Sequence, residues 1–177
     1  MTSTEQDSTI ARVTAILKSA TVQRYHTENT VHKQSVGEHT YDVMWLVYLL
    51  TNGAPSVSLL LAALMHDTPE YVTGDIPAPV KSNSPAVKHA CDDLEAEWFE
   101  IIGIEDASDQ LTKREKKILK TADVLSGCLF CMNEWLRGNR HIAPALHNYV
   151  EYAESLCATP GSVEFHILSY VKEKTKS

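Results

Sequence analysis

The sequence predicts an all-α fold, a compact bundle of about six to seven helices. Nearly every long segment repeats its apolar residues at helical spacing, and no stretch alternates apolar and polar residues between hairpin turns. Capping residues and prolines punctuate the chain at helix-length intervals. The 177 residues, 44% of them hydrophobic, suit a single domain, 1–177, whose first seven residues read as a flexible tail.

Taken in order, a first helix is expected over about Ser8–Ala20, where Ile10, Val13, Ile16 and Leu17 share a face. A turn-rich linker, Arg24 to Ser35, leads to a second helix, about Gly37–Thr51, carrying Val43, Leu46, Val47 and Leu50. Pro55 and Ser56 open a third, Val57 to about Asp67, apolar on every side and therefore expected at the centre of the core. Pro69 lacks an amide hydrogen and would clash with the Met65 carbonyl, so this helix should end or kink at His66-Asp67. Ser84 and Pro85 read as an N-cap and first helical residue, and Gly103 as a C-cap, bounding a helix over Pro85–Ile102. Thr112 with Glu115 forms a capping box, starting a helix that runs to about Arg137 and stops at Gly138. Ile142–Leu156 and Pro160–Lys172 complete the set.

Composition narrows the function. A net charge of −7 argues against a nucleic-acid polymer as partner, since neutralising a phosphate backbone needs a basic face. A phosphate-bearing partner should be small, held by local cations such as Arg24 and Lys81. Apolar runs such as Val57–Met65 are too short to cross a bilayer, and MTSTEQDST has neither a basic nor an apolar leader region. No membrane partner and a cytoplasmic location are expected. Cys91, Cys128, Cys131 and Cys157 lie in helical segments and read as thiols. The CxxC spacing of Cys128 and Cys131 lacks a second pair to complete a zinc set and reads as two small core residues.

Chemistry concentrates in a few polar residues placed where apolar ones would be expected. His66 and Asp67 adjoin at a helix end, and such a pair can offer two ligands to a divalent metal. His39 lies in SVGEHTYDV, between Val36 and Val43 on the core side of its helix. Asp123 lies in LKTADVLSG beside Leu119, Val124 and Leu125, where a carboxylate is costly to bury without a cation. Three helices can thus bring ligands to one point. Glu70 falls one turn beyond His66, close enough to orient or deprotonate a water beside the metal. Lys120 and Lys116 precede Asp123 by one and two turns on a similar face, and Lys81 closes the TGDIPAPVK turn.

The set His39, His66-Asp67, Asp123 resembles the H…HD…D signature of the HD-domain phosphohydrolases. RYHTENTVHKQSVGEHTYDV followed by MHDTPEYVTGDIPAPVK resembles the branch that holds the YfbR-type 5′-deoxynucleotidases and the small bacteriophage dATP triphosphohydrolases. The resemblance covers roughly Arg24 to Gly127 and implies an HD-domain helical bundle. It implies that His39, His66, Asp67 and Asp123 bind one divalent metal ion, zinc, cobalt, manganese or another transition metal, and that Glu70 activates the nucleophilic water. Asp75 would face the sugar or leaving group as a second catalytic residue, Arg24 would reach phosphate, and Tyr25, in a position often held by tryptophan, would pack on the nucleoside. It further implies a homo-oligomer, dimer or hexamer.

Within that branch, a monophosphate substrate needs room for one phosphate, whereas a triphosphate needs further cations, for which Lys81, Lys116 and Lys120 are candidates. The compact chain leans towards the phage type, which by resemblance converts dATP to deoxyadenosine and triphosphate so that 2-aminoadenine can replace adenine in DNA. Further divalent ions would then accompany the triphosphate. Val22, Thr27, Ile76 and Pro79 are candidates for excluding a 2-amino group. The alternative is a 5′-deoxynucleotidase acting on dNMP, and a more remote one is a nucleotide-binding HD scaffold without activity.

Overall fold

The helix that organises the molecule is the longest, Lys113–Leu136, in a computed structural model that describes residues 3–156 and 159–176. In chain order the helices are α1 (Ser3–Ser19), α2 (Val36–Leu50), α3 (Val57–Met65), α4 (Glu70–Thr73), α5 (Ala78–Asn83), α6 (Pro85–Ile102), α7 (Lys113–Leu136), α8 (Ala143–Leu156) and α9 (Val163–Lys174). Single 3₁₀ turns at Ala107–Gln110 and Arg140–Ile142 join α6 to α7 and α7 to α8. Among the described residues no strand forms, and Gln23 and Ser35 make one isolated bridge across the linker.

Helix α7 is starred with small and apolar residues on its inner side. Ala122, Val124, Leu125, Cys128, Cys131 and Met132 are buried against α2, α8 and α9, which surround it. The two cysteines are core thiols, as their apolar setting implied. A smaller core lies under α4, where Trp98, Phe99 and Ile102 of α6 meet Ala15 and Ile16 of α1 and Met65.

The seven long helices fall where the periodicity placed them. Thr112 and Glu115 form the expected capping box, and Gly103 takes the left-handed conformation at the end of α6. Ser35 and Glu38 form a second box at the start of α2, unremarked in the sequence reading. Four expectations need correction. Helix α1 starts at Ser3, so residues 3–7 are helical rather than tail; residues 1–2, and Cys157, lie outside the described residues. The TGDIPAPVK stretch is not a plain turn: α4 ends at its first residue, Thr73, and α5 begins within it at Ala78, after Pro77. Ser84 occupies its N-cap position without a side-chain cap hydrogen bond. Finally, α3 is not central. It buries Leu59, Ala62 and Ala63 but leaves Val57, Leu61 and Leu64 exposed, because it sits on the perimeter with one side against α2 and the 107–110 turn. Among the described residues, no helix is long and apolar enough to cross a membrane.

Candidate active site

Helix α3 stops at Met65, where the Thr68 amide bonds the Met65 carbonyl and Pro69 begins α4. His66 therefore stands at the C-cap, and its Nδ1 donates to the Ala63 carbonyl at 2.8 Å. A carbonyl only accepts, so Nδ1 carries the proton and Nε2 is the atom turned inward, free to act as a ligand. The fully buried His39 of α2 is engaged at Nδ1 by Ser126 Oγ at 3.0 Å, and its Nε2 lies 3.2 Å from that of His66.

Two carboxylates converge on the same nitrogens. Asp67 Oδ2 is 3.4 Å and Asp123 Oδ1 3.3 Å from His39 Nε2, while Asp67 Oδ1 is 3.4 Å from His66 Nε2. Ligand atoms of His39, His66 and Asp123 all lie within 4.8 Å of one another. Burial and the nearby Arg24 hold His39 below its usual pKa despite both carboxylates, so it remains a neutral imidazole. Burial acts to raise Asp67 and Asp123. Neighbouring His66 and Arg24 outweigh it at Asp67, and the His39 hydrogen bond with Lys120 outweighs it at Asp123, so both carboxyls are held below the usual range. Two imidazoles and two carboxylates, with both rings anchored through Nδ1, are a donor set that fits a divalent transition metal.

Around this centre the expected cations are present but committed. Arg24 is buried, and its guanidinium bonds Asp67 Oδ2 at 2.8 Å. Lys120 Nζ bonds Asp123 Oδ2 at 2.8 Å and lies over the Tyr152 ring. Lys81 is paired with Glu95 of α6 at 3.2 Å. Lys116 is exposed on α7, one turn before Lys120. Glu70 is buried at the first position of α4, with Oε2 lacking a hydrogen-bond partner among the described residues. Burial, together with Asp67 and Asp75, pushes its carboxyl up to about 9 against the opposing pull of Arg24 and Lys81.

Tyr25 adopts φ 54, a strained conformation for a residue with a side chain, and its amide donates to Asp75 Oδ2 at 2.9 Å. Asp75 thus holds the Arg24-Tyr25 turn. The Tyr25 ring is stacked on Phe130 at 4.4 Å and tilted against Tyr149, so one face is already occupied by protein. Pro79 is exposed on α5.

Four supporting residues escaped the sequence reading: Ser126, Glu95, Tyr149 and Glu134. Ser126 follows Asp123 by three residues on the same helical face, a spacing that could have revealed it. Glu134 is fully buried. Its Oε2 accepts from the Val31 amide at 2.6 Å and Asn139 Nδ2 at 2.9 Å, and its Oε1 from the His32 amide at 2.9 Å and Arg137 at 3.2 Å. Asn139 Nδ2 also donates to the Asn29 carbonyl, so the linker that carries Arg24 and Tyr25 is fastened to the end of α7.

The helical fold and the match to known sequences place the chain among the metal-dependent phosphohydrolases of the HD-domain class. A match to the 5′-deoxynucleotidase YfbR-like family spans residues 13–173, and the chain belongs to that family. The 5′-deoxynucleotidases of Yersinia pestis (strain Pestoides F) and Yersinia pseudotuberculosis (serotype O:3, strain YPIII) are each 26% identical to it over 144 residues, covering 70% of this chain and 73% of theirs. Among solved structures, the cyanophage S-2L HD phosphohydrolase DatZ, bound to dA and one catalytic Zn²⁺ ion, is similar with a TM-score of 0.67. It is 22% identical, and the match covers 92% of this chain and 94% of that one. An HD-domain phosphohydrolase from Listeria innocua has a TM-score of 0.63 at 16% identity, covering 94% of this chain and 99% of its own. These likenesses establish a shared fold.

Proposed function

We propose that the protein is a 5′-deoxynucleotidase, hydrolysing a deoxynucleoside monophosphate to the deoxynucleoside and phosphate. The observation that carries this reading is the convergence of His39, His66, Asp67 and Asp123 beside the buried Glu70 and Arg24. Those four residues would hold one divalent ion, with zinc, cobalt and manganese all compatible with two imidazoles and two carboxylates. When bound, the ion supplies Lewis-acid polarisation of a phosphoryl oxygen.

Glu70 accepts a proton from the attacking water. A carboxylate raised by burial and by Asp67 holds an abstracted proton firmly, and neutralising the charge on Asp67 brings its basic form within reach near neutral pH. Water oxygen bonds to phosphorus, the phosphorus–O5′ bond breaks, and the proton taken up by Glu70 passes through solvent to the departing 5′ oxygen. Arg24 and Lys120 offset negative charge on the phosphoryl group. Asp75 and the exposed part of Tyr25 border the sugar and base, with Pro79 and Lys81 beyond them. The enzyme works in the cytoplasm as a homo-oligomer, without a nucleic-acid polymer or membrane as partner.

A dATP triphosphohydrolase is the second reading, supported by the likeness to cyanophage DatZ and by the Lys116–Lys120 ridge leading to Asp123. Removal of dATP would serve a phage that builds 2-aminoadenine into DNA, and further divalent ions would accompany the triphosphate. The ion pair of Lys81 with Glu95 weighs against it, since that cation must leave a carboxylate to hold β- and γ-phosphates. Chromatography of products from dAMP and dATP, each with zinc, cobalt or manganese, separates the readings. Consumption of dAMP with dATP surviving is expected; release of triphosphate and deoxyadenosine from dATP replaces the first reading by the second.

A further inference from the structure

Helix α3 is apolar all round, yet a full side of it faces outward. Val57, Leu61 and Leu64 are 74%, 44% and 48% exposed, and their spacing puts them on one stripe opposite the buried Leu59, Ala62 and Ala63. The neighbouring α2 repeats the pattern in aromatic residues. Tyr41, Trp45 and Tyr48 are 64%, 52% and 44% exposed, at i, i+4 and i+7, and their rings meet edge to face at 6.4 and 5.8 Å. Leu49 extends this stripe. By contrast, Trp98 is buried in the smaller core and Tyr149 packs against the main one.

From this face we infer that α2 and α3 together form the surface through which two copies of the chain associate, side by side about a two-fold axis. The inference rests on the homo-oligomer of the proposed function and names its interface. The seven side chains leave on the order of 800 Å² uncovered, which is what each partner contributes to an interface of standard size. Charge is also depleted as an interface centre requires: α3 has no acidic or basic residue, and those of α2 are Glu38, His39 and Asp42 in its first half. Of these His39 is buried, leaving two acids towards one edge as a polar rim. A self-complementary apolar patch suits an isologous pair, in which the same stripe serves both copies. An anionic bilayer is a poorer occupant, since neither helix has a lysine or arginine and the chain is acidic.

The test is the solution mass of the full chain by light scattering, on wild type, on the double variant Trp45→Arg/Leu61→Arg, and on Leu17→Arg, which charges an exposed position of α1. Wild type is expected at a multiple of 19.7 kDa. The double variant should show at least a twofold fall in mass with unchanged helical circular dichroism, while Leu17→Arg keeps the wild-type mass. In wild type alone, dilution should red-shift the fluorescence of the half-exposed Trp45, with the shift absent in Trp45→Phe. A wild type at 19.7 kDa at all concentrations overturns both self-association and its interface. An assembled wild type whose double variant keeps its mass, or loses its helical signal, while Trp45 emission ignores dilution overturns the interface alone. So does loss of mass in Leu17→Arg only, or flotation of a monomer with anionic vesicles. Hydrolysis of dAMP or dATP is scored separately, so failure of the enzymatic reading is not confused with any of these.

Discussion

Glu70 and Asp67 sit three residues apart and serve the site in different ways. Glu70 has a buried oxygen without a partner among the described residues and makes none of the contacts that join His39, His66, Asp67 and Asp123, so replacing it leaves those four in place. Glu70→Gln should retain the metal, measured by elemental analysis, while kcat falls about 10²- to 10⁴-fold, the usual contribution of a general base. Turnover near the wild-type rate would remove Glu70 from the reaction. Asp67→Ala should lose both metal and activity. It also strands the buried Arg24, whose charge Asp67 neutralises at 2.8 Å, and breaking such a pair destabilises by about 3–5 kcal/mol. A lowered thermal midpoint of this variant relative to metal-free wild type would register that second effect.

Helix α7 carries one wall of the site, and two of its residues show how. Gly127 is needed because a Cβ there would overlap the Tyr149 ring, which in turn backs Tyr25. Gly127→Ala should cost about 1–3 kcal/mol by overpacking, read from urea midpoints, and should raise KM if Tyr25 moves with Tyr149. Glu134 is buried, which alone would raise its carboxyl. Hydrogen bonds from Asn139, His32, Val31 and Arg137 outweigh burial and hold it below the ordinary value of 4.5. A depressed native pKa stabilises the fold above pH 4.5, and that stabilisation drains as pH falls through the native value. Glu134→Gln is therefore expected to lose about 1–3 kcal/mol at pH 7, with the gap to wild type narrowing below pH 4. A gap that is constant with pH would show that the charge does not matter. Helix limits and the convergence of His39, His66, Asp67 and Asp123 were legible because caps, a proline and inward-facing ionisable residues leave local marks. Glu134 obeys the same rule as Asp123, but its partners are backbone amides about a hundred residues away, which no local pattern announces. Lys81 looked available for the same reason: its partner Glu95 belongs to another helix.

For the whole molecule, the donors come from α2, from the turn after α3 and from α7, so a bound ion ties three parts of the chain together. At a thousand times its dissociation constant such an ion adds about 4 kcal/mol, and its removal by chelation should lower the thermal midpoint by about 10 °C. An unchanged midpoint after verified metal removal would dissociate the site from stability. The exposed side of α3 was illegible for a related reason: periodicity reports that a helix is apolar, but not whether its own chain supplies enough neighbours to cover it. The turn at Arg24 and Tyr25 carries the same dependence on distant sequence into the chemistry. It is held from one side by Asp75, fifty residues on, and its linker is held from the other by Glu134, beyond a hundred. The Arg24-Tyr25 turn therefore takes its shape with help from distant parts of the chain. Any fragment ending before Glu134 would have to fold without its clamp, and catalytic competence becomes a property the chain acquires only once its C-terminal half has docked.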